Sequence, residues 1–435
     1  MRKLGILGVV LMFIGVLSQN SFSATTTQVD ALIKKLVDKG ILNEKEAEQI
    51  KGEIVSDEKT LREANNKVDI PQWVQDLKVK GDFRLRHEWS HRNDSTDIDR
   101  NRGRIRYRLG LETKINDKVL IGIGLASNGG DGKNNSNVGT TTATNFSPRS
   151  NNESFQNAFS KQAIVLNYAY AQYTPNDKLT LTGGKMMNPI WEPWEFLWDT
   201  DITPEGGAVQ FVYPLNDMAK LVSMISAFQV DEISGNEADP FMFVTQGGVQ
   251  GKMGKKVDYK LLGVYYNTDN ITKTLLANRA ATNTLNPAIS TQYAYHYNTL
   301  GGGFEVGMND PLGEKCPMLY IPRVGVFGEY MYNPDPPDKN IAWMAGGYIG
   351  NSKLSGWGTW KITSAYKFIG QDAFLDTFPD SDFYSGSTDV KGYETQFEFG
   401  LAKNVSASID YYRTERIKTS KAQESFLQTD LNFKF

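Results

Sequence analysis

The sequence predicts an all-β fold, a transmembrane antiparallel β-barrel of about 16 strands with a short N-terminal periplasmic helical segment. Three observations predict this fold. Polar and apolar residues alternate in runs of roughly ten to fourteen residues that recur from Leu77 onward. Short polar turns alternate with long connections rich in Gly, Asn, Ser and Thr. The last alternating run closes on Phe435.

The composition excludes several other classes of protein. The chain has 435 residues, with 47 Lys and Arg against 50 Asp and Glu, so its formal net charge is -3. A dedicated nucleic-acid binder would usually be strongly basic, so we expect no nucleic-acid partner. Cys316 is the only cysteine, which excludes a disulfide framework and a cysteine-built zinc site. No cofactor is implied.

Residues 1–23 are predicted to be a signal peptide. The basic dipeptide Arg2-Lys3 precedes an almost wholly apolar run from Leu4 to Leu17, and small residues stand just before Ala24. The alternative is a membrane-anchoring helix, but about fourteen apolar residues are few for a bilayer span. We therefore expect the chain to be exported.

Residues 24–70 are predicted to form a helical hairpin or coiled-coil stub on the periplasmic side. Leu32 and Leu36 recur at helical spacing, and Gly40 can end that helix. Asn43 can cap a second helix, because glutamates follow it in the first turn. The segment can pack on itself, plug or support the pore, or contact the cell wall, and the sequence leaves these roles open.

Residues 71–435 are predicted to form the transmembrane barrel pore. An even count near sixteen lies in the size range that leaves an aqueous channel, and fourteen to eighteen strands fit the pattern. Paired across the short turns, the strands are expected near 77–89, 102–115, 119–128, 162–174, 179–187, 206–213, 219–230, 241–252, 257–268, 296–308, 318–332, 341–350, 356–369, 391–402, 405–416 and 425–435.

The connections differ in length at the two ends of these strands. Turns such as 116–118 are short, whereas 128–161, 269–295 and 371–389 are long. Outer-membrane barrels show this asymmetry, with tight periplasmic turns and long outer loops.

The last strand carries a predicted barrel-assembly signal at Phe433 and Phe435. A closing strand that ends in Phe resembles the signal by which the barrel-assembly machinery recognises its clients, so that machinery is an expected partner. Alternation divides the strand between two faces. Leu427, Thr429, Leu431, Phe433 and Phe435 are expected to face lipid, and Gln428, Asp430, Asn432 and Lys434 the lumen.

Two segments carry a resemblance to a known family. They read LIKKLVDKGIL at 32–42 and WDTDITPEG at 198–206. Together with the leader and the long barrel, they resemble the putative-porin family of Gram-negative outer membranes, and the likeness covers nearly the whole mature chain. The layout is also similar to phosphate-selective porins, although this chain shows no lysine-rich central loop.

The resemblance implies an outer-membrane porin of a Gram-negative bacterium, whose water-filled channel lets small hydrophilic solutes diffuse passively. It implies contact with outer-membrane lipid, and a homotrimer by analogy with porins of this size. Two alternatives stay open: an outer-membrane barrel enzyme, and a structural protein that tethers the outer membrane to the cell wall. No Ser, His and Asp have distinctive spacing, so we assign no catalytic residue and expect no enzyme.

A basic ladder is the most informative charge pattern. Arg104, Arg106 and Arg108 alternate with apolar residues deep in the second strand, where facing lipid would cost about 2–4 kcal/mol each. They are therefore expected to face the lumen. The pore-lining set is Arg84, Arg86, Arg102, Arg104, Arg106 and Arg108, supported by Lys185.

The segment after the fifth strand, 188–204, is expected to fold inward and narrow the channel. It is too long for a tight hairpin, and sixteen-stranded porins place their constriction loop here; the alternative is an outer loop with aromatics at the membrane interface. Its acids would face the ladder and set a transverse field. We expect a weak anion preference, and dipolar solutes are favoured if the loop folds in. These acids are Glu192, Glu195, Asp199, Asp201 and Glu205.

The motif from His87 to His91 matches the H-E-x-x-H sequence of zinc proteases. That chemistry needs both histidines on one face of a helix. Here the motif ends an alternating strand, where His87 and Glu88 point to opposite faces. We therefore expect no metal site.

Overall fold

The computed structural model describes two compact units, Met1–Pro71 and Gln72–Phe435. The signal peptide predicted at 1–23 lies outside the described residues, as does 54–70. The described residues are 33–35, 37–39, 43–53, 71–93, 99–128, 146–155, 157–159, 161–233, 238–313, 320–418 and 422–435.

The first unit is helical where it is described, at 33–35, 37–38 and 44–53. Asn43 begins the last of these helices with a reciprocal pair of hydrogen bonds. Its Oδ1 accepts the backbone N–H of Glu46, whose Oε2 accepts the backbone N–H of Asn43, both at 2.9 Å. Among the described residues, no helix is long and apolar enough to cross a membrane.

The second unit begins with a four-residue helix, Gln72–Gln75, and continues as strands. Sixteen strands are long, and each matches a strand predicted from the alternation. One further strand, β4, has two residues. The strands are β1 Lys78–Arg92, β2 Asp99–Asn116, β3 Val119–Ser127, β4 Glu153–Ser154, β5 Ile164–Asn176, β6 Leu179–Lys185, β7 Glu205–Asn216, β8 Ala219–Gln229, β9 Phe241–Met253, β10 Val257–Asp269, β11 Leu300–Asn309, β12 Arg323–Tyr332, β13 Ile341–Gly350, β14 Trp360–Ile369, β15 Val390–Ala402, β16 Val405–Arg416 and β17 Gln423–Lys434.

The strands predicted to start at 296, 318 and 356 start later, at Leu300, Arg323 and Trp360. Before β12, Pro322 has no backbone N–H to add to the ladder. Before β11, the side chain of Asn298 accepts a backbone N–H of the neighbouring strand at 2.9 Å, in place of a main-chain partner. The alternation of polar and apolar residues alone does not predict where these strands begin.

The barrel is closed. Each long strand pairs antiparallel with its neighbours in sequence, and β17 pairs with β1 through the register that sets Asp82 opposite Lys434. Phe435 extends this pairing, because its backbone exchanges hydrogen bonds with Gly81 at 2.9 and 3.0 Å. The short β4 pairs with β2 at Arg104 and Ile105, beyond the end of β3. The prediction of a sixteen-stranded antiparallel barrel is confirmed.

The two faces of the wall follow from side-chain alternation. On β10, Leu261 and Tyr265 are exposed outside, whereas Leu262 and Val264 are buried inside. On β17, Asp430 is buried inside. Aromatic side chains are exposed on the outer face, as a surface in contact with lipid requires. They are Tyr107, Tyr213, Tyr265, Tyr366, Tyr393 and Phe397.

One half of the interior is an apolar core. Three connections fold into the barrel and supply its centre: the inward loop (186–204), the 270–299 loop and the 370–389 loop. Their aromatic side chains pack on inward residues of β8 to β14. The core includes Phe196, Leu197, Trp198, Tyr293, Tyr297, Phe374, Met224, Met242, Val244, Tyr266, Phe327 and Met344.

Candidate functional site

The polar half of the interior contains a cavity of about 380 Å³, here called the inner cavity. Its walls come from β1, β2, β15, β16 and β17, with the inward loop on one side and residues 381–382 of the 370–389 loop on another. Charged side chains of both signs line it, and strand register decides which of them meet.

Arg86 pairs across the seam that closes the barrel. The β1–β17 register sets Arg86 opposite Asp430, and two guanidinium nitrogens bind the two carboxylate oxygens at 2.7 Å each. Asp382 of the 370–389 loop accepts a third bond at 3.1 Å. Arg84 Nη1 lies 3.5 Å from the same Asp430. The bidentate geometry makes this one of the strong charge-assisted contacts of the lumen.

Glu88 pairs with the arginines of the adjacent strand. The β1–β2 register sets Glu88 opposite Arg102, with which it makes an ion pair, and Arg104 Nη1 donates to Glu88 at 3.1 Å. The Glu88 side chain is buried. The glutamate of the H-E-x-x-H sequence is therefore an ion-pair partner that several arginines share inside the barrel.

The inward loop is docked on the basic ladder by Asp201. Its carboxylate lies 3.2 Å from Arg108 and 3.9 Å from Arg106, and both arginines also bind Asp82 of β1. The backbone N–H of Asn151 donates to Asp201 at 3.0 Å. Burial alone would raise the pKa of Asp201, but the facing guanidinium groups outweigh it and lower that pKa to about 2.

The inward loop is held in shape by its own side chains. Glu192 accepts the backbone N–H groups of Phe196, Leu197 and Trp198 at 3.1–3.3 Å, so its carboxylate closes a compact turn. Burial nevertheless raises the pKa of Glu192 to about 8. Trp198 stacks on Phe378 with ring centroids 4.7 Å apart. The loop thus packs on the 370–389 loop through rings.

Two lysines of the wall lie against the loop tryptophans. Lys260 of β10 lies 4.3 Å from the ring centroid of Trp191, and Lys361 of β14 lies 5.7 Å from that of Trp194. A cation over an aromatic face is attracted by the ring quadrupole. The Trp194 Nε1–H also donates to Glu394 at 3.1 Å. These contacts hold the loop across the barrel.

Three carboxylates meet where the inward loop touches the 370–389 loop. Ligand oxygens of Glu195, Asp199 and Asp380 all lie within 4.8 Å of one another, the one such group found among the described residues that could hold a metal ion. The buried Lys367 donates to Asp380 at 3.0 Å and lies 2.6 Å from Glu394. Burial raises the pKa of Glu195 and Asp199 well above the ordinary range. The charge of Lys367 and the raised pKa values reduce the repulsion between these carboxylates.

Three residues assigned to the site from sequence lie elsewhere. Lys185 Nζ binds Glu205 at 2.9 Å and the carbonyl oxygen of Thr203 at 3.0 Å, and neither Lys185 nor Glu205 lines the inner cavity. Glu205 is the first residue of β7 rather than part of the loop. Glu192 turns its carboxylate to its own loop and does not face the ladder.

Sequence reasoning missed several partners of the arginines. Asp82 and Glu88 share the inward face of β1 with Arg84 and Arg86, so alternation could have identified them. Asp382 and Arg149 come from long connections, and no pattern in the sequence marks them.

The chain is similar to known proteins both in its sequence family and in its fold. A family model described as putative porin matches residues 89–305 and 330–435. The high-pH structure of Pseudomonas putida OprB superposes with a TM-score of 0.51 at 11% identity, over 83% of this chain and 95% of that chain. A mutant of Rh. blastica porin superposes with a TM-score of 0.44 at 11% identity, over 82% of this chain and 100% of that chain. No curated protein sequence matches. The OprB likeness shows a shared fold.

Proposed function

The chain belongs to the putative porin family, and from this premise we propose that it is an outer-membrane porin of a Gram-negative bacterium through which small hydrophilic solutes diffuse passively. One observation carries the proposal. Inside a closed barrel with an apolar outer face, a polar cavity is lined by charges held on strands. A water-filled pathway is the environment in which such a set is stable.

We propose that the channel has weak charge selectivity with a small preference for anions. Six basic and nine acidic side chains line the inner cavity, so full ionisation would favour cations. Glu195 and Asp199 have raised pKa values because they are buried, so the other seven acids and the six basic side chains nearly balance. The arginines keep their charge at any working pH.

Dipolar solutes are expected to pass more readily than ions of the same size. Arg106 and Arg108 stand on β2, whereas Glu394, Glu398 and Asp410 stand on β15 and β16. Opposite signs on different walls set a field across the cavity, and low-dielectric surroundings focus it. A solute with its own dipole can align with that field.

Planar-bilayer recording of the purified chain tests this function. We expect ohmic, persistent current steps and a reversal potential in a KCl gradient that is small and displaced towards chloride. Strong cation selectivity would contradict the proposed preference. Absence of steps, together with hydrolytic activity on lipid or peptide, would contradict the porin function itself.

A further inference from the structure

A second cavity lies at the loop end of the barrel, where the outer end of β2 meets the long connections. It has a volume of about 340 Å³ and is here called the outer vestibule. It shares Arg149, Ser381 and Asp382 with the inner cavity. The two cavities therefore meet at these three residues, and a solute entering from the loop end reaches the vestibule first.

The vestibule has a different charge from the cavity below it. Among the residues that the structure describes, five arginines line it, and Asp382 is the one lining carboxylate. In the inner cavity, acidic side chains outnumber basic ones. The excess of basic side chains in the vestibule thus gives way to a mixed lining at the junction. The vestibule arginines are Arg100, Arg102, Arg104, Arg149 and Arg279.

The partners of these arginines leave most of the positive charge in place. Arg102 and Arg104 share the single carboxylate of Glu88. Among the described residues, Arg100 and Arg279 make no ion pair within 4.0 Å. Arg149 donates to the carbonyl oxygens of Gly386 at 2.9 Å and of Asn278 at 3.1 Å, which hold its guanidinium at the vestibule wall.

We propose that the outer vestibule binds a doubly charged oxyanion group, a phosphate or a dicarboxylate, carried by a solute on its way into the pore. Guanidinium groups present paired N–H donors that match the oxygens of either group. The vestibule is enclosed on several sides by protein, which focuses the positive potential. The positive charge of the vestibule lies at the entrance, before the mixed charges of the inner cavity, so such a group is held at the junction. This inference rests on the proposed porin function and names the solutes that its entrance retains.

The test uses inorganic phosphate and malonate as probes in planar-bilayer recording of the full chain in KCl. We expect either anion to reduce the single-channel current saturably, and at lower concentration from one face of the bilayer than from the other. Two anions of similar charge and different geometry distinguish a phosphate-specific site from one that accepts dicarboxylates.

Arg100→Gln combined with Arg279→Gln removes the two arginines that make no ion pair and leaves the docking of the loops intact. We expect the half-blocking concentration to rise about tenfold, equivalent to losing about 1.4 kcal/mol of charge-assisted hydrogen bonding. The control is Lys255→Gln combined with Lys403→Gln. This control variant makes the same change in net charge, but in exposed tight turns. It should leave the half-blocking concentration of either anion unchanged.

Ordinary current steps without a block by either anion would overturn the vestibule site and leave the porin function standing. An equal weakening in the control variant would also overturn it, because a general field would then explain the block. Calorimetric titration of phosphate into the detergent-solubilised chain and its double arginine variant gives a readout that does not depend on conductance. Equal binding by both would contradict the site.

Discussion

At the scale of single residues, this barrel stabilises buried charges by placing partners on neighbouring strands. Arg86 and Asp430 face each other because β17 closes on β1, and their side chains are almost fully enclosed. Breaking a buried pair by removing one partner costs about 3–5 kcal/mol, whereas exposed pairs contribute about 0–1 kcal/mol. The register at the seam is therefore also an energetic requirement.

Asp430→Asn should destabilise the barrel by about 3 kcal/mol, because Arg86 loses its bidentate partner and keeps only Asp382 and Glu88 nearby. The measurement is the urea concentration at which half of the protein loses the fast-migrating, folded band on gels of unheated samples. The control is Lys80→Gln, which breaks the exposed pair with Glu112 and should change the midpoint little. Equal midpoints for both variants would show that the seam pair does not stabilise the barrel.

Arg106→Gln combined with Arg108→Gln should displace the reversal potential towards potassium. Asp82 and Asp201 are left without their partners on that wall, so the inner cavity becomes more negative. Reversal potential in a KCl gradient is the measurement. Lys185→Gln is the matched control, because Lys185 pairs with Glu205 outside the cavity. No displacement in the double variant would show that ions do not pass beside Arg106 and Arg108.

At the scale of elements, the inward loop is a folded piece of the barrel interior. Glu192 closes its turn, Trp198 stacks on Phe378, and Asp201 binds the ladder. Gln246 of β9 accepts the backbone N–H of Trp191 at 2.9 Å and donates to the Trp191 carbonyl at 2.8 Å. Ring packing, main-chain hydrogen bonds and ion pairs together hold the loop. Because Glu195, Asp199 and Asp380 meet where it touches the 370–389 loop, we expect its docking to depend on pH.

The docking of the inward loop on the 370–389 loop should weaken as pH rises. Burial raises the pKa values of Glu195 and Asp199, and raises that of Asp380 to about 6 against the opposing charge of Lys367. The docked inward loop therefore binds protons that an undocked loop would not hold. Low pH favours the docked loop, and this stabilisation is lost as pH rises through about 6. The other charged groups facing the cluster are Glu394, Asp201 and Asp382.

Single-channel recording between about pH 5 and about pH 8 checks this prediction, since a looser loop gives more current fluctuation at the higher pH. Glu195→Gln should reduce the pH dependence by removing one titrating group. Glu205→Gln, on β7 outside the cluster, should not. Fluctuations that are independent of pH in the parent chain would contradict the role of the three carboxylates.

At the scale of the whole molecule, different parts of the chain close the barrel and fill its interior. Sixteen long strands close without an unpaired edge, which is how a sheet satisfies its backbone in lipid. The three infolded connections then occupy one half of the interior as an apolar core. The inner cavity lies on the polar side that this core leaves.

Deleting Phe435 should reduce the yield of assembled barrel while leaving export unchanged. The last residue exchanges two backbone hydrogen bonds with Gly81, and its ring lies against Tyr107 with centroids 6.3 Å apart. Its loss weakens the closing seam and removes the predicted assembly signal. The measurement is the heat-modifiable fraction in isolated outer membranes. Trp357→Ala, which removes another exposed aromatic, is the control and should assemble normally.

The sequence by itself determined where the strands lie, an even count between fourteen and eighteen, and the face on which each arginine lies. Alternation is a local property of the chain, so Arg84, Arg86, Arg104, Arg106 and Arg108 could be assigned to one face without knowing their neighbours. The length difference between connections likewise needs no tertiary information. The position of the inward loop was expected from resemblance to other barrels, not from its residues.

Only the tertiary structure decided which charges meet. Arg86 and Asp430 are 344 residues apart and meet because the barrel closes in one register. Arg149 reaches the outer vestibule because three connections fold together around it. Lys185 does not join the basic ladder, because it forms an ion pair with Glu205, which lies opposite it on β7. Contacts across loops depend on closure of distant segments, whereas alternation depends on adjacent residues, and this difference separates what could be predicted from what could not.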